Sequence, residues 1–163
     1  MRTSLATHAI STPATAGLAG SPARFRVQFA LMARVLGALS LLAVGAVHLQ
    51  QYDALYSAIP TIGSLFLLNF VGASVLGLGL LAPIERLPGR FGAVALVLST
   101  VAGIALAATS FVFLLVSERT PLFGFMEPGY DPAAIMVARI AEGATVLLLG
   151  AFLAARRASG RGR

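Results

Sequence analysis

His48, Tyr52, Tyr56, Asn69, Ser110, Arg139 and Glu142 are set in or beside long apolar runs, where polar side chains are costly unless they have work to do. His48, Tyr52 and Tyr56 are four apart, so on a helix they share a face. Arg139 and Glu142 are three apart and can pair on theirs. A histidine beside a carboxylate can relay protons, hold a metal or ligate haem. With tyrosines and an asparagine it can instead hydrogen-bond a small ligand. Haem with two histidines from one chain is excluded, because the other histidine, His8, falls in the polar N-terminal stretch. Haem held by His48 alone, or shared across a dimer, stays open. Zinc wants three or four protein ligands, and His48 with Glu142 is too sparse a set. Ser110, His48 and Glu142 have the composition of a triad without a spacing that supports one. No phosphate-binding glycine loop, nucleophile elbow or zinc-protease motif occurs. The chain has no cysteine, which excludes thiol chemistry and disulfides.

The elements that must position these residues are membrane helices. Of 163 residues, 58% are hydrophobic and 11% charged. A soluble domain carries about 25% charged residues, so this composition belongs in lipid. All twelve basic residues behind the net charge of +6 are arginines, and apart from Arg139 they stand at or near chain ends and loop edges, where membrane topology accounts for them and nucleic-acid binding is not required. A spanning helix needs about 20 mostly apolar residues. Four segments qualify, at about 29–56, 62–82, 91–116 and 133–155. Residues 28–156 therefore read as an all-α membrane protein, four transmembrane helices in an antiparallel bundle. Pro60 ends any extension of the first helix. "LPGR" at 87–90 is a tight turn, and Asp131 followed by Pro132 is an N-cap and first helical position. Residues 1–27, rich in Ser, Thr, Ala, Pro and Gly, read as a disordered tail, and 157–163 as a basic one. A cleaved signal peptide ending near Ala46 is the rival for the N-terminus, though its n-region would be unusually long.

Arg2, Arg24, Arg26, Arg34, Arg86, Arg90, Arg156, Arg157, Arg161 and Arg163 all fall on one side of this serpentine. The positive-inside rule makes that side cytoplasmic, in a plasma membrane crossed four times. Arg34 is expected to snorkel to the headgroups. Ala95, Ser99, Gly103 and Ala107 form a small-residue seam on helix 3, read as an intramolecular packing face, with homo-oligomerisation the alternative. With a rise of about 1.5 Å per residue, His48, Asn69, Ser110, Arg139 and Glu142 all lie roughly 9–14 Å below the outer edge. Tyr52 and Tyr56 would line the mouth of such a polar funnel.

The stretch "GAVHLQQYDALYSAIPTIGSLFLLN" (45–69) and the stretch "PLFGFMEP" (121–128) resemble small four-helix integral membrane proteins of high-GC Gram-positive bacteria. The resemblance spans roughly 30–155 and implies the topology and no particular activity. The positions it carries over are His48, Tyr56, Pro60, Gly63, Leu65, Phe66, Asn69, Phe123, Gly124, Glu127 and Glu142. DoxX-like proteins are similar in architecture alone. Three functions are in contention. The first is a non-catalytic membrane subunit, its polar layer specifying the bundle and its outer loops docking a protein partner. The second is a small-ligand or redox-cofactor site, quinone or haem-like, around His48. The third is proton or solute transport, disfavoured because the inner half offers only Ser99, Thr100 and Thr145.

Overall fold

The computed structural model describes residues 22–160. Four α-helices, α1 (Pro22–Ala54), α2 (Pro60–Leu81), α3 (Phe91–Ser117) and α4 (Pro132–Gly160), are each long and apolar enough to cross a membrane. Helix α1 runs antiparallel to α2, as Gly45 against Ala73 and Gly77 against Leu42 show. It is also antiparallel to α4, with Gly37 against Leu149. Helix α3 lies diagonally across from α1, Gly103 meeting Leu41 and Leu149. The chain is an all-α, multi-pass membrane bundle. Its outer surface agrees: Leu147, Val75 and Leu98 are at least 60% exposed, a pattern that lipid satisfies and water does not. The end bearing the α1–α2 and α3–α4 connections is termed distal, and the end bearing the α2–α3 connection proximal.

The helix limits differ from the sequence reading in ways that matter. Helix α1 begins at Pro22, not near Phe29, so residues 22–27 are helical and not tail. Proline suits a first helical position, and the Ala, Arg and Gln that follow are good helix formers. The expected tail over 1–21, with Arg2 and His8, lies outside the described residues, as do Arg161 and Arg163. Helix α4 continues to Gly160, past the expected limit near 155. At its distal end α1 stops at Ala54, and Tyr56–Ala58 form a 3-10 turn. Tyr56 therefore leaves the regular helical face of His48. The turn swings it inward all the same, and it is 4% exposed. Gly63 lets this turn sit on α2, since a Cβ there would lie 2.7 Å from the Tyr56 carbonyl oxygen.

The proximal half is packed shut. Leu41, Leu80 and Leu149 are fully buried and Leu96 nearly so. Thr100 and Thr145 are fully buried too, but each hydroxyl donates to a carbonyl four residues back in its own helix. The small-residue seam expected on α3 is only half realised. Gly103 and Ala107 are buried, while the other inward positions are Gly92, Leu96, Thr100 and Ser117, and Ala95 and Ser99 stand to the side. A strict four-residue spacing drifts across a helix of 3.6 residues per turn, which rotates the seam's lower part off the packed face.

Arg34 does not snorkel. It is 7% exposed, and its guanidinium binds the end of α2: Nε donates to the Leu80 carbonyl (2.6 Å), Nη2 to the Ala82 carbonyl (2.6 Å) and Nη1 to Glu85 (2.9 Å). The last carbonyls of a helix lack intrahelical donors and carry its negative dipole end, so a buried arginine is well matched to them.

Candidate functional site

A cavity of about 240 Å³ occupies the distal half of the bundle. Its polar floor is built from all four helices: His48 on α1, Asn69 on α2, Ser110 on α3 and Glu142 on α4. His48 Nδ1 donates to the Val44 carbonyl one turn back (2.8 Å). A carbonyl can only accept, so that bond puts a proton on Nδ1, and in the neutral ring Nε2 is then an acceptor for the Ser110 hydroxyl (3.0 Å). Glu142 Oε1 stands 4.0 Å from the same Nε2. Glu142 is 1% exposed and Asn69 8%. Glu142 Oε2 and Asn69 Oδ1 are buried with no hydrogen-bond partner among the described residues. Buried acceptors left unpaired cost about 1–3 kcal/mol each, so a cavity lined by two of them calls for a donor from outside the chain, water or a ligand.

Aromatic rings make one wall. Phe66 stacks on Tyr56 (centroids 4.5 Å apart, planes at 23°) and lies 5.0 Å from the His48 ring. Phe125 meets Tyr56 edge-on at 5.6 Å. The α3–α4 connection closes the distal end. Leu122 and Phe125 exchange backbone hydrogen bonds around Phe123 (φ 51°) and Gly124 (φ 80°). Positive φ at both central residues is a type I′ turn, which the glycine accommodates freely and the phenylalanine does not. The Glu127 amide then bonds the Ser117 carbonyl at the end of α3 (2.8 Å). The Glu127 carboxylate accepts from the Tyr56 hydroxyl and from the Gly129 amide (2.9 Å). Burial first, and then the bond to Glu127 and its charge, push the Tyr56 phenol well above the usual tyrosine range. The phenol therefore stays a donor, and what it adds to stability is complete below the ordinary tyrosine value of 10.0 and lost as pH rises through its raised value. Asp131 caps α4 as the sequence implies, Oδ1 accepting from the Ala134 amide (3.0 Å) and Oδ2 from Gln51 (3.0 Å). The Ala134 amide first, then Gln51, hold its carboxyl below the usual range.

No family model, curated protein or solved structure matches the chain. The side-chain geometry alone bears on function.

Of the seven residues singled out from sequence, His48, Tyr56, Asn69, Ser110 and Glu142 line this one cavity. Tyr52 does not; it is half-buried outside the lining, and Gln51 takes the inward position instead. Arg139 is also elsewhere. Its guanidinium pairs with Glu118 at the end of α3, not with Glu142 on its own helix. Glu142 faces the bundle axis and Arg139 the α3 side, so three-residue spacing put them near one another without making them partners. Sequence reasoning did not place Gln51, Phe113 or Phe125 at the site. Gln51 was signalled by its spacing of three from His48, as close a match to helical period as four.

The arrangement limits the chemistry. Ser110 and His48 are joined as in a nucleophile–base pair, but the nitrogen that a triad's acid would orient is bonded to a backbone carbonyl, and Glu142 sits on the other side of the ring. The serine lies mid-helix, where neighbouring amides are committed to the helix and form no oxyanion hole. Haem is poorly matched too, because His48 Nε2, the ring nitrogen that could ligate iron, already faces the Ser110 hydroxyl. Among the described residues no three His, Asp or Glu side chains converge as a metal site.

Proposed function

We propose that the protein resides in the plasma membrane with both termini cytoplasmic and binds a small molecule in its distal cavity without covalent chemistry. The arginine distribution supports the orientation. One observation carries the binding reading: two deeply buried acceptors, Asn69 Oδ1 and Glu142 Oε2, lack partners and line a cavity of about 240 Å³. A polar layer that served only to specify the bundle would pair its own groups. An apolar cavity of about 150 Å³ holds benzene, so this one has room for a substituted ring. The packed proximal half argues against a through-going path for protons or solutes.

The probe is p-cresol, a one-ring hydroxyl donor, titrated into detergent-solubilised protein while the thermal midpoint is followed. A saturable rise is expected, since ligand at 100 times its Kd adds about 2.7 kcal/mol. Ala138→Phe fills the cavity from α4, where Ala138 is buried against it, and should weaken the affinity by about tenfold or more. A response that does not saturate, or is equal in the two proteins, removes the binding reading.

A second reading, a membrane subunit docking a partner through the α3–α4 connection, rests on the exposure there of Phe123 (58%), Met126 (52%) and Tyr130 (69%). Photocrosslinking from position 123 in native membranes should then trap a second polypeptide; recovery of the monomer alone would count it out.

A further inference from the structure

The cavity has a ligand class and an access route written into its walls. The two unpaired buried atoms on the cavity lining are both acceptors (the third in the described residues, Arg139 Nε, lies off it), so the ligand must bring a hydrogen-bond donor. Its head must also be uncharged. The lining holds no arginine, and Arg139 pairs through Nη2 with Glu118, so an anionic head would meet Glu142 with no cation on the cavity wall. An ammonium head could pair with Glu142, but only by carrying a charge into the membrane interior at a cost of several kcal/mol, which a hydroxyl avoids.

The route follows from the lining. On the distal side the cavity is roofed by the Leu122–Phe125 turn and the Tyr56–Glu127 bond. On the proximal side the leucine core blocks it. Its more exposed lining residues are Leu68 on α2 (67%) and Thr109 on α3, both on the lipid-facing surface of the bundle. Helices α2 and α3 touch closely further in, at Gly72 and Leu106, where a Cβ on Gly72 would lie 3.4 Å from the Leu106 side chain. Distal to that contact their facing residues line the cavity.

We infer that the cavity takes the hydroxyl head of a membrane-dissolved, single-chain amphiphile, a long-chain alcohol or alkylphenol, that enters between α2 and α3 and leaves its tail in the bilayer past Leu68 and Thr109. This rests on the small-ligand reading above and adds the class and the route. The head hydroxyl donates to Asn69 Oδ1 or Glu142 Oε2, and the tail needs no room inside, which reconciles a lipid-like ligand with so small a cavity.

The test reconstitutes the full chain in phosphatidylcholine vesicles containing hexadecanol with a mid-chain diazirine. On irradiation the probe should label α2 and α3 peptides around Leu68 and Thr109. The corresponding methyl ether, which cannot donate, should label about fivefold less, the worth of one hydrogen bond. Excess p-cresol should compete. Leu68→Trp places a bulky ring at the slot from the lipid side and should cut labelling by the alcohol about fivefold while the far-UV circular dichroism of the reconstituted variant matches that of the wild type. Thr109→Phe repeats the measurement from the opposite wall. If p-cresol binds but alcohol and ether label equally, or p-cresol does not compete, or both slot variants label like the wild type, the class and route are overturned and the small-ligand reading stands. If p-cresol itself does not bind, both fail.

Discussion

Replacing Arg34 with leucine is expected to lower the unfolding free energy of the bundle by about 3 kcal/mol, among the largest stability losses available from one side chain. The guanidinium is buried, and two of its three bonds go to the Leu80 and Ala82 carbonyls, at the end of α2. Leucine would keep the packing but strand those carbonyls where water reaches poorly. Arg34→Lys should fall between, since an ammonium lacks the planar fork that reaches three acceptors at once. Glu85→Gln is the control. Glu85 is half exposed, and an ion pair so placed is worth less than about 1 kcal/mol. Arg34 first, through its hydrogen bond, holds the Glu85 carboxyl below its ordinary value of 4.5. Its small contribution is therefore present above that value and lost as pH falls through the lowered one, and Glu85→Gln should flatten that acid limb. Unfolding in bicelles across this series measures all three. A leucine variant as stable as the glutamine variant would mean that Arg34 is a surface anchor after all.

Asn69→Leu and Glu142→Leu should have opposite effects on stability and on binding. If the polar layer exists for a ligand, the unliganded protein bears two unpaired buried acceptors, and replacing either with leucine should stabilise it by about 1 kcal/mol. Replacing the acceptor that takes the p-cresol hydroxyl should also weaken p-cresol binding by about fivefold to tenfold, the loss of one hydrogen bond, while the other replacement leaves it nearer the wild-type value. The cavity offers space for the added methyl groups, so overpacking does not mask the gain. If the layer exists to specify the bundle, both variants should be less stable or misassembled. The sign of the change in thermal midpoint without ligand separates the two accounts, and the p-cresol titration supplies the second half of the trade-off.

Much of this architecture is legible in the sequence because lipid imposes few solutions. Apolar runs of spanning length, Pro60, "LPGR" and the Asp131–Pro132 pair mark the four helices and their connections. Counting helical rise from a common membrane edge brought His48, Asn69, Ser110 and Glu142 to one level, and the bundle places all four on one cavity. What counting could not supply was rotation and partner choice. His48 is followed inward by Gln51 and not Tyr52, because the helix face is set by packing against α2 and α4. Arg139 had a carboxylate three residues away on its own helix and another on α3, and only the packing of α3 on α4 decides for Glu118. Arg34 stands near a membrane edge in sequence, and only the approach of α2 turns it from an anchor into a cap. Glu127 lies in the α3–α4 connection, and only the turn at Phe123–Gly124 folds it back onto Tyr56 to close the site.

The central claim is that the distal cavity receives a donor-bearing ring, and a crystal soaked with 4-bromophenol tests it most directly. The account predicts an anomalous bromine peak inside the cavity, with the hydroxyl oxygen within hydrogen-bond distance of Asn69 or Glu142. Bromine found only on the lipid-facing surface, with the Asn69 and Glu142 side chains bonded to other protein groups, would contradict it.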